Sequence, residues 1–251
     1  MAMTASSAVW DDAPMTDDRG VALITGATGS LGRAAAPAFA RAGYRLGLGG
    51  TDRGRLDTLA EDLGLDRDAW LPVTADLADA EAARAAVSGL EEHFGRIDVL
   101  LHLVGGWTGG TTLVDLDPGV LRDMLDQHVW STFHVTRAVV PGMVERGHGR
   151  ILAVTSSFTA APSAKSTPYI AAKAAQEALL RVLAREVAGT GVTANLVAVK
   201  SIDAERQRET APSPKNASWT TPDEIVAVLR FLASDDAAAV NGQRIALDGR
   251  A

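Results

Sequence analysis

Seven short apolar runs constrain this chain more than any other feature: "VALIT" (21–25), "RLGLGG" (45–50), "AWLPVTA" (69–75), "IDVLLHLVGG" (97–106), "RILAVTSS" (150–157), "VTANLVAV" (192–199) and "GQRIALDG" (242–249). They are largely continuous rather than alternating, so the strands they predict have no face meant for water. Strands of that kind sit in parallel sheets covered on both sides. Helical segments separate them, at 30–43, 55–64, 79–95, 119–147, 167–189 and 221–235. The stretch 119–147 reads as one long helix. The last segment opens with Thr220 or Thr221 as N-cap, Pro222 at its first position and acids in its first turn. Strand–helix alternation predicts one doubly wound α/β domain over 19–251, with about seven parallel strands and helices on both faces. No internal repeat or interdomain linker interrupts it. One irregular stretch, "SIDAERQRETAPSPKNASWT" (201–220), follows the sixth strand. Ligands bind beyond the carboxyl ends of strands in this architecture, so the stretch is expected to be a substrate-side lid.

Composition removes several classes of function. The chain has 251 residues and is 47% hydrophobic, enough for one large core. Its net charge of −7 argues against nucleic acid or anionic membrane as the main partner. With no cysteine, disulfides, thiolate zinc sites and cysteine nucleophiles are excluded. No run approaches the roughly 18 apolar residues of a membrane span. The N-terminus lacks a basic segment followed by an apolar one, so residues 1–18 read as a flexible tail and the expected compartment is the cytoplasm. His93, His102, His134 and His148 share no ligand spacing, and no metal is expected.

Two motifs carry chemistry. "TGATGSLG" (25–32) follows the first strand and opens the first helix. Gly26, Gly29 and Gly32 let the backbone turn tightly and approach a pyrophosphate, which the helix N-terminus then favours; this is a Rossmann-like arrangement. The plainer alternative is a glycine-rich turn without a ligand. "STPYIAAK" (166–173) places Tyr169 and Lys173 four apart, on one helix face. They are either a surface pair or a proton-transfer dyad. The glycine loop, and Ser156 13 residues upstream after a strand, favour the dyad.

With these motifs and the strand rhythm in place, residues 20–249 resemble the short-chain dehydrogenase/reductase family. Thr25, Gly26 and Gly32 match its T-G-x-x-x-G-x-G pattern, while Ser30 stands at the middle glycine. Asp76–Leu77 match the family's acidic contact to adenine, with a helix N-cap as the alternative for Asp76. The family's N-N-A-G becomes His102-Leu103-Val104-Gly105, and its P-G after the sixth strand becomes Val199-Lys200. The catalytic serine falls on Ser156, with Ser157 as the other register, and the catalytic asparagine on His128. The resemblance implies a catalytic set of Ser156, Tyr169, Lys173 and, in the asparagine's place, His128. It implies a dinucleotide held by Gly26, Gly29, Ser30, Leu31, Gly32, Thr51, Asp52, Arg53, Asp76, Leu77, Gly105, Tyr169, Lys173 and Ile202.

The spacing of the dyad has a physical reason. A free phenol titrates near 10, too high for a good base, and a neighbouring ammonium lowers that value. By resemblance Lys173 also binds the nicotinamide ribose, while Ser156 orients the substrate oxygen. His128 either joins a proton relay or packs, in an enzyme with a shorter relay or in one that has lost activity. At the tip of the second strand, Gly50-Thr51-Asp52-Arg53, the acid sits one position late for NAD. Arg53 and Arg33 are near enough to meet a phosphate, so NADP(H) is favoured over NAD(H). Trp107, Phe158 and Trp219 are expected to line an apolar substrate pocket. The expectation is an NAD(P)-dependent oxidoreductase interconverting a carbonyl and an alcohol on an apolar small molecule, as a homodimer or homotetramer across the alanine-rich helix at 169–188. Two alternatives stay open. One is a dinucleotide-binding protein with little redox activity, in a sensing or assembly role. The other is a non-redox biosynthetic reaction on the same fold.

Overall fold

The computed structural model describes residues 20–249, so the tail expected at 1–18 lies outside the described residues. Seven parallel strands form one sheet: β1 Val21–Thr25, β2 Arg45–Gly50, β3 Trp70–Thr74, β4 Val99–His102, β5 Gly149–Ser156, β6 Val192–Val199 and β7 Arg244–Leu247. Their spatial order is β3-β2-β1-β4-β5-β6-β7. The helices are α1 Ser30–Arg41, α2 Arg53–Asp62, α3 Ala80–Phe94, α4 Pro118–Leu125, α5 Ser131–Arg146, α6 Thr167–Glu186, α7 Gln207–Thr210 and α8 Pro222–Ala233.

Neighbouring strand residues point to opposite faces, and both faces are covered. Ile24, Leu48 and Leu101 pack with Phe39 of α1, Leu56 of α2 and Leu229 of α8. Leu23, Leu100 and Ile151 pack with Leu90 of α3, Val139 of α5 and Leu180 of α6. The central strands therefore lack polar alternation because the apolar residues on each of their faces enter one of two cores, where each buried Leu or Ile contributes about 1.5–3 kcal/mol. The strand order reverses between β1 and β4, which opens a crevice beyond their carboxyl ends.

The segment at 119–147 is not one regular helix. Between α4 and α5 lies a π turn at Asp126–Trp130, in which the Ser131 N–H donates to the Asp126 carbonyl, five residues back. Such a turn leaves carbonyls without their usual partners. Here the Ser131 hydroxyl donates to the Gln127 carbonyl, and the Thr132 hydroxyl to the His128 carbonyl at 2.6 Å. The turn thus rests on hydroxyl side chains four residues downstream of those carbonyls.

The stretch 201–220 is tied down at its start. Buried Asp203 accepts the backbone N–H groups of Gln207 and Arg208, and Ile202 bridges to Thr220. Thr221 is the N-cap of α8, in a capping box with Glu224.

Gly32, in the first turn of α1, sits against the glycine loop. A Cβ there would lie 2.4 Å from the Gly26 carbonyl oxygen and 2.6 Å from Ala27 Cα. Gly32→Ala is expected to lower the unfolding free energy by about 1–3 kcal/mol. Denaturant unfolding at fixed pH checks this; an unchanged midpoint would show that the loop yields freely.

Candidate active site

Two clefts meet at the crevice between β1 and β4. The first, of about 470 Å³, is lined by Gly26, Gly29, Ser30, Leu31, Gly32, Gly105, Trp107, His128, Ser156, Phe158, Tyr169, Lys173 and Ile202 among others. The second, of about 630 Å³, is lined by Thr51, Arg55, Asp76 and Leu77, and it shares Gly26, Gly29, Leu103, Val104 and Gly105 with the first. The fold thus gathers at one seam most of the residues that the sequence singles out.

Asp52, Arg53 and Trp219 are among those that line neither cleft. Asp52 is the N-cap of α2 and accepts the Arg55 N–H at 3.1 Å, so its carboxylate serves the helix. Arg53 is drawn back along the helix surface to Asp57, at 2.8 Å. Trp219 lines neither cleft; its carbonyl takes a hydrogen bond from Arg208. Asp76 is not a helix cap, because Asp79 caps α3. The Asp76 carboxylate instead accepts the Ala78 N–H on the wall of the second cleft.

Lys173 stands at the bottom of the first cleft, buried on α6. Its ammonium donates to the Val154 carbonyl at 2.8 Å and to Gln176 Oε1 at 2.9 Å. Gln176, itself fully buried, donates onward to the Thr132 hydroxyl at 2.8 Å, which is bonded to the His128 carbonyl. A short chain of hydrogen bonds therefore ties Lys173 to the π turn. Burial pulls the Lys173 ammonium down to about 7, against the opposing pull of Glu177.

His128 is held in the middle of the π turn with its ring edge-on to Tyr169, centroids 5.6 Å apart. Its Nε2 lies 3.1 Å from the Gly106 carbonyl, which only accepts, so Nε2 carries the hydrogen. That leaves Nδ1 as a bare acceptor. Nδ1 is buried and has no partner among the described residues. A Cβ on Gly105 would fall 2.7 Å from His128 Cε1, 3.3 Å from Nδ1 and 3.7 Å from Lys173 Nζ. Gly105 therefore leaves room for the imidazole, and Nδ1 and Nζ border the same small space. Burial, and then the charge of Lys173, push the His128 imidazole down to about 3.

The loss of N-N-A-G is answered by His102. In β4 its Nδ1 meets the Thr25 hydroxyl at 2.9 Å and its Nε2 the Ser131 hydroxyl at 3.3 Å. One buried imidazole thus links the tips of β1 and β4 to the start of α5. Burial, followed by the charges of Lys173 and His128, pushes it down to about 3, and it is a neutral support.

Tyr169 departs from expectation. Burial raises its phenol above the ordinary value, and hydrogen bonding with Ser156 only partly opposes that. Lys173 does not lower it as the spacing suggests, because the ammonium is turned to Val154 and Gln176 beneath. Ser156 closes β5, with its buried hydroxyl accepting the Phe158 N–H at 3.2 Å.

A dinucleotide fits this shape and donor set. The first turn of α1 holds no acid, and its N-cap, Gly29, makes no side-chain cap bond. Backbone N–H groups are thus left facing the seam where a pyrophosphate would join the two halves. In the second cleft Arg55 and Thr51 share the wall, and the side chains of Arg33 and Arg55 both reach the Thr28 carbonyl, at 3.2 and 3.5 Å. The sequence points to Arg53 and Arg33 for that role. Lys200 is exposed on the first cleft and has no hydrogen bond or ion pair among the described residues. Its one signal was the departure from P-G.

Known proteins resemble this chain in sequence and fold. Residues 20–215 match the short chain dehydrogenase family. The (2S)-[(R)-hydroxy(phenyl)methyl]succinyl-CoA dehydrogenase subunit BbsC of Thauera aromatica is 35% identical over 91% of this chain and 93% of its own. The 3-oxoacyl-[acyl-carrier-protein] reductase FabG of Thermotoga maritima is 30% identical over 91% of this chain and 96% of its own. The crystal structure of gox2181 superposes with a TM-score of 0.82 at 28% identity, covering 92% of this chain and 95% of that one. No helix among the described residues is long and apolar enough to cross a membrane.

The two buried imidazoles predict an acid sensitivity. Both titrate near 3 in the folded chain and at an ordinary 6.5 once unfolded. Unfolding therefore takes up protons below 6.5, and the stability these rings contribute is present above that pH and lost as pH falls through 3. His128→Asn should flatten this acid slope in denaturant unfolding between pH 6.5 and 4. A variant with the same slope as the wild type would mean that His128 titrates normally.

Proposed function

The chain belongs to the short-chain dehydrogenase family, and from that membership we propose that it interconverts a carbonyl and an alcohol with NADP(H), running as a reductase. It is an oxidoreductase, and its family uses NAD(P)(H) on small-molecule substrates and is usually oligomeric. The observation that carries the reading is the meeting of Ser156, Tyr169, Lys173 and His128 in one cleft continuous with the glycine loop. The nicotinamide, when bound, supplies or takes up the hydride.

Every other step falls to the chain. Ser156 holds the substrate oxygen beside Tyr169 and orients the carbon for attack. Burial keeps Tyr169 a neutral phenol, which suits a proton donor to the oxygen that reduction leaves behind. Lys173 has three N–H donors, of which two are bonded beneath it. The third serves ribose hydroxyls and, in its charged form, the phenolate that proton donation leaves. His128 Nδ1, bordering the same space, accepts a hydrogen bond there, while its Nε2–H stays with the Gly106 carbonyl. Arg55 and Thr51 favour the phosphate-bearing dinucleotide, with Arg33 in support. Trp107 and Phe158 give the substrate an apolar wall and Lys200 adds one ammonium, which suits an apolar body carrying a polar or anionic arm. Two relatives are named for acyl groups on coenzyme A or a carrier protein, so 3-oxoacyl thioesters head the panel to be tried. Exposed Trp130, Phe133 and Val182 on the α5 and α6 side support a homodimer or homotetramer.

Turnover of NADPH with 3-oxoacyl thioesters, oxo acids and simple ketones tests the reading. Tyr169→Phe should lose about 10²–10⁴-fold in kcat/KM; retention of most activity would remove Tyr169 from its role. Arg55→Ala should weaken NADPH binding about 10-fold and leave NADH unchanged, as measured by fluorescence titration. Equal loss for both cofactors would contradict the phosphate assignment.

A further inference from the structure

We propose that Glu177 and Arg244 act as a positioning pair that holds Ser156 in register with Tyr169 and Lys173, without touching substrate themselves. The proposal rests on the oxidoreductase reading above.

Glu177 lies one helical turn beyond Lys173 on α6 and is buried. Its Oε1 accepts the Thr155 hydroxyl at 2.8 Å, the Thr159 hydroxyl at 2.6 Å and Arg244 Nε at 3.2 Å. Arg244 reaches across from β7, and its Nη2 donates to the Ser156 carbonyl at 3.0 Å and meets the Thr159 hydroxyl at 3.1 Å. Thr155 precedes Ser156 and Thr159 follows it. One carboxylate and one guanidinium therefore fasten the backbone on both sides of the serine. The Ser156 hydroxyl is then set by the Phe158 N–H within the same short turn.

Stability is a poor reason for this arrangement. A largely buried ion pair loses most of its Coulomb energy to desolvation, and apolar replacements do as well or better. The β5–β6 and β6–β7 registers are already made by backbone pairing. Convergence of three elements on one serine is explained by placement.

The same carboxylate acts on Lys173. The titratable groups that interact with that ammonium are Glu177 on α6, His128 on the π turn and His102 on β4. Glu177 is the only acid among these three, and it favours the charged lysine. Without its charge the ammonium gives up its proton at a lower pH.

Steady-state kinetics of the full chain from pH 5.5 to 9 tests the pair, with Tyr169→Phe as the control for the chemistry. Glu177→Gln should lower kcat about 10–100-fold with the KM for NADPH nearly unchanged. It should also move the high-pH loss of activity down by about 1 pH unit. Arg244→Lys keeps the charge but loses the forked contact to Ser156. It should lower kcat with the pH midpoint unmoved, and it keeps the test available if Glu177→Gln fails to fold. The double variant should fall little further than the worse single one, because both act through Ser156. If the wild type is active and these variants match it, or only KM rises, the pair is structural and the proposal fails. If the wild type turns over no carbonyl with either cofactor, the oxidoreductase reading fails, and the role of the pair with it.

Discussion

Burying the ammonium of Lys173 is the constraint on which the rest of this site depends. A charged group taken out of water must be given hydrogen bonds or lose its proton. This chain does some of each. Val154 and Gln176 accept two of its protons, while burial brings it down to about 7, within reach of neutral pH. Every group around it is arranged to tolerate a charge that comes and goes. His128 and His102 stay neutral, so neither adds a repelling charge. Glu177 supplies the one opposing charge from a turn away.

The same constraint explains the chain's departures from its family. A histidine in the asparagine position needs space, which Gly105 provides, and a fixed tautomer, which the Gly106 carbonyl provides. The lost N-N-A-G leaves the strand ends without side-chain ties, and His102 restores them through Thr25 and Ser131. Ser131 and Thr132 in turn satisfy the carbonyls that the π turn frees. Two imidazoles and two hydroxyls thus tie the tips of β1 and β4 to the π turn.

How far the sequence reveals this depends on the kind of signal. The seven runs were legible because continuous apolar strands have few places to go, and the order of motifs then fixed where the clefts lie. The spacing of Tyr169 and Lys173 pointed to one helix face, and only the glycine loop and Ser156 beside it singled the pair out; the fold brings all three to one cleft. The π turn was not, since nothing in the periodicity of 119–147 marks one extra residue in a turn; the hydroxyls of Ser131 and Thr132 mark it only once the turn is known. Asp52 and Arg53 misled because the tip of β2 is also the start of α2, and local capping and an i,i+4 pair claimed both side chains. Arg55, two residues on, lines the cleft instead. Glu177 and Arg244 are far apart in sequence, and only the β6–β7 crossover brings them together.

The charge on Lys173 can be read directly. With lysines labelled at Nζ, nuclear magnetic resonance titration of the cofactor-free chain follows each ammonium, and Lys173→Met identifies the signal. The account predicts a midpoint near 7 for Lys173. A midpoint at the ordinary 10.5 would mean that the ammonium is solvated, and the arrangement of His128, His102 and Glu177 around a variable charge would be contradicted.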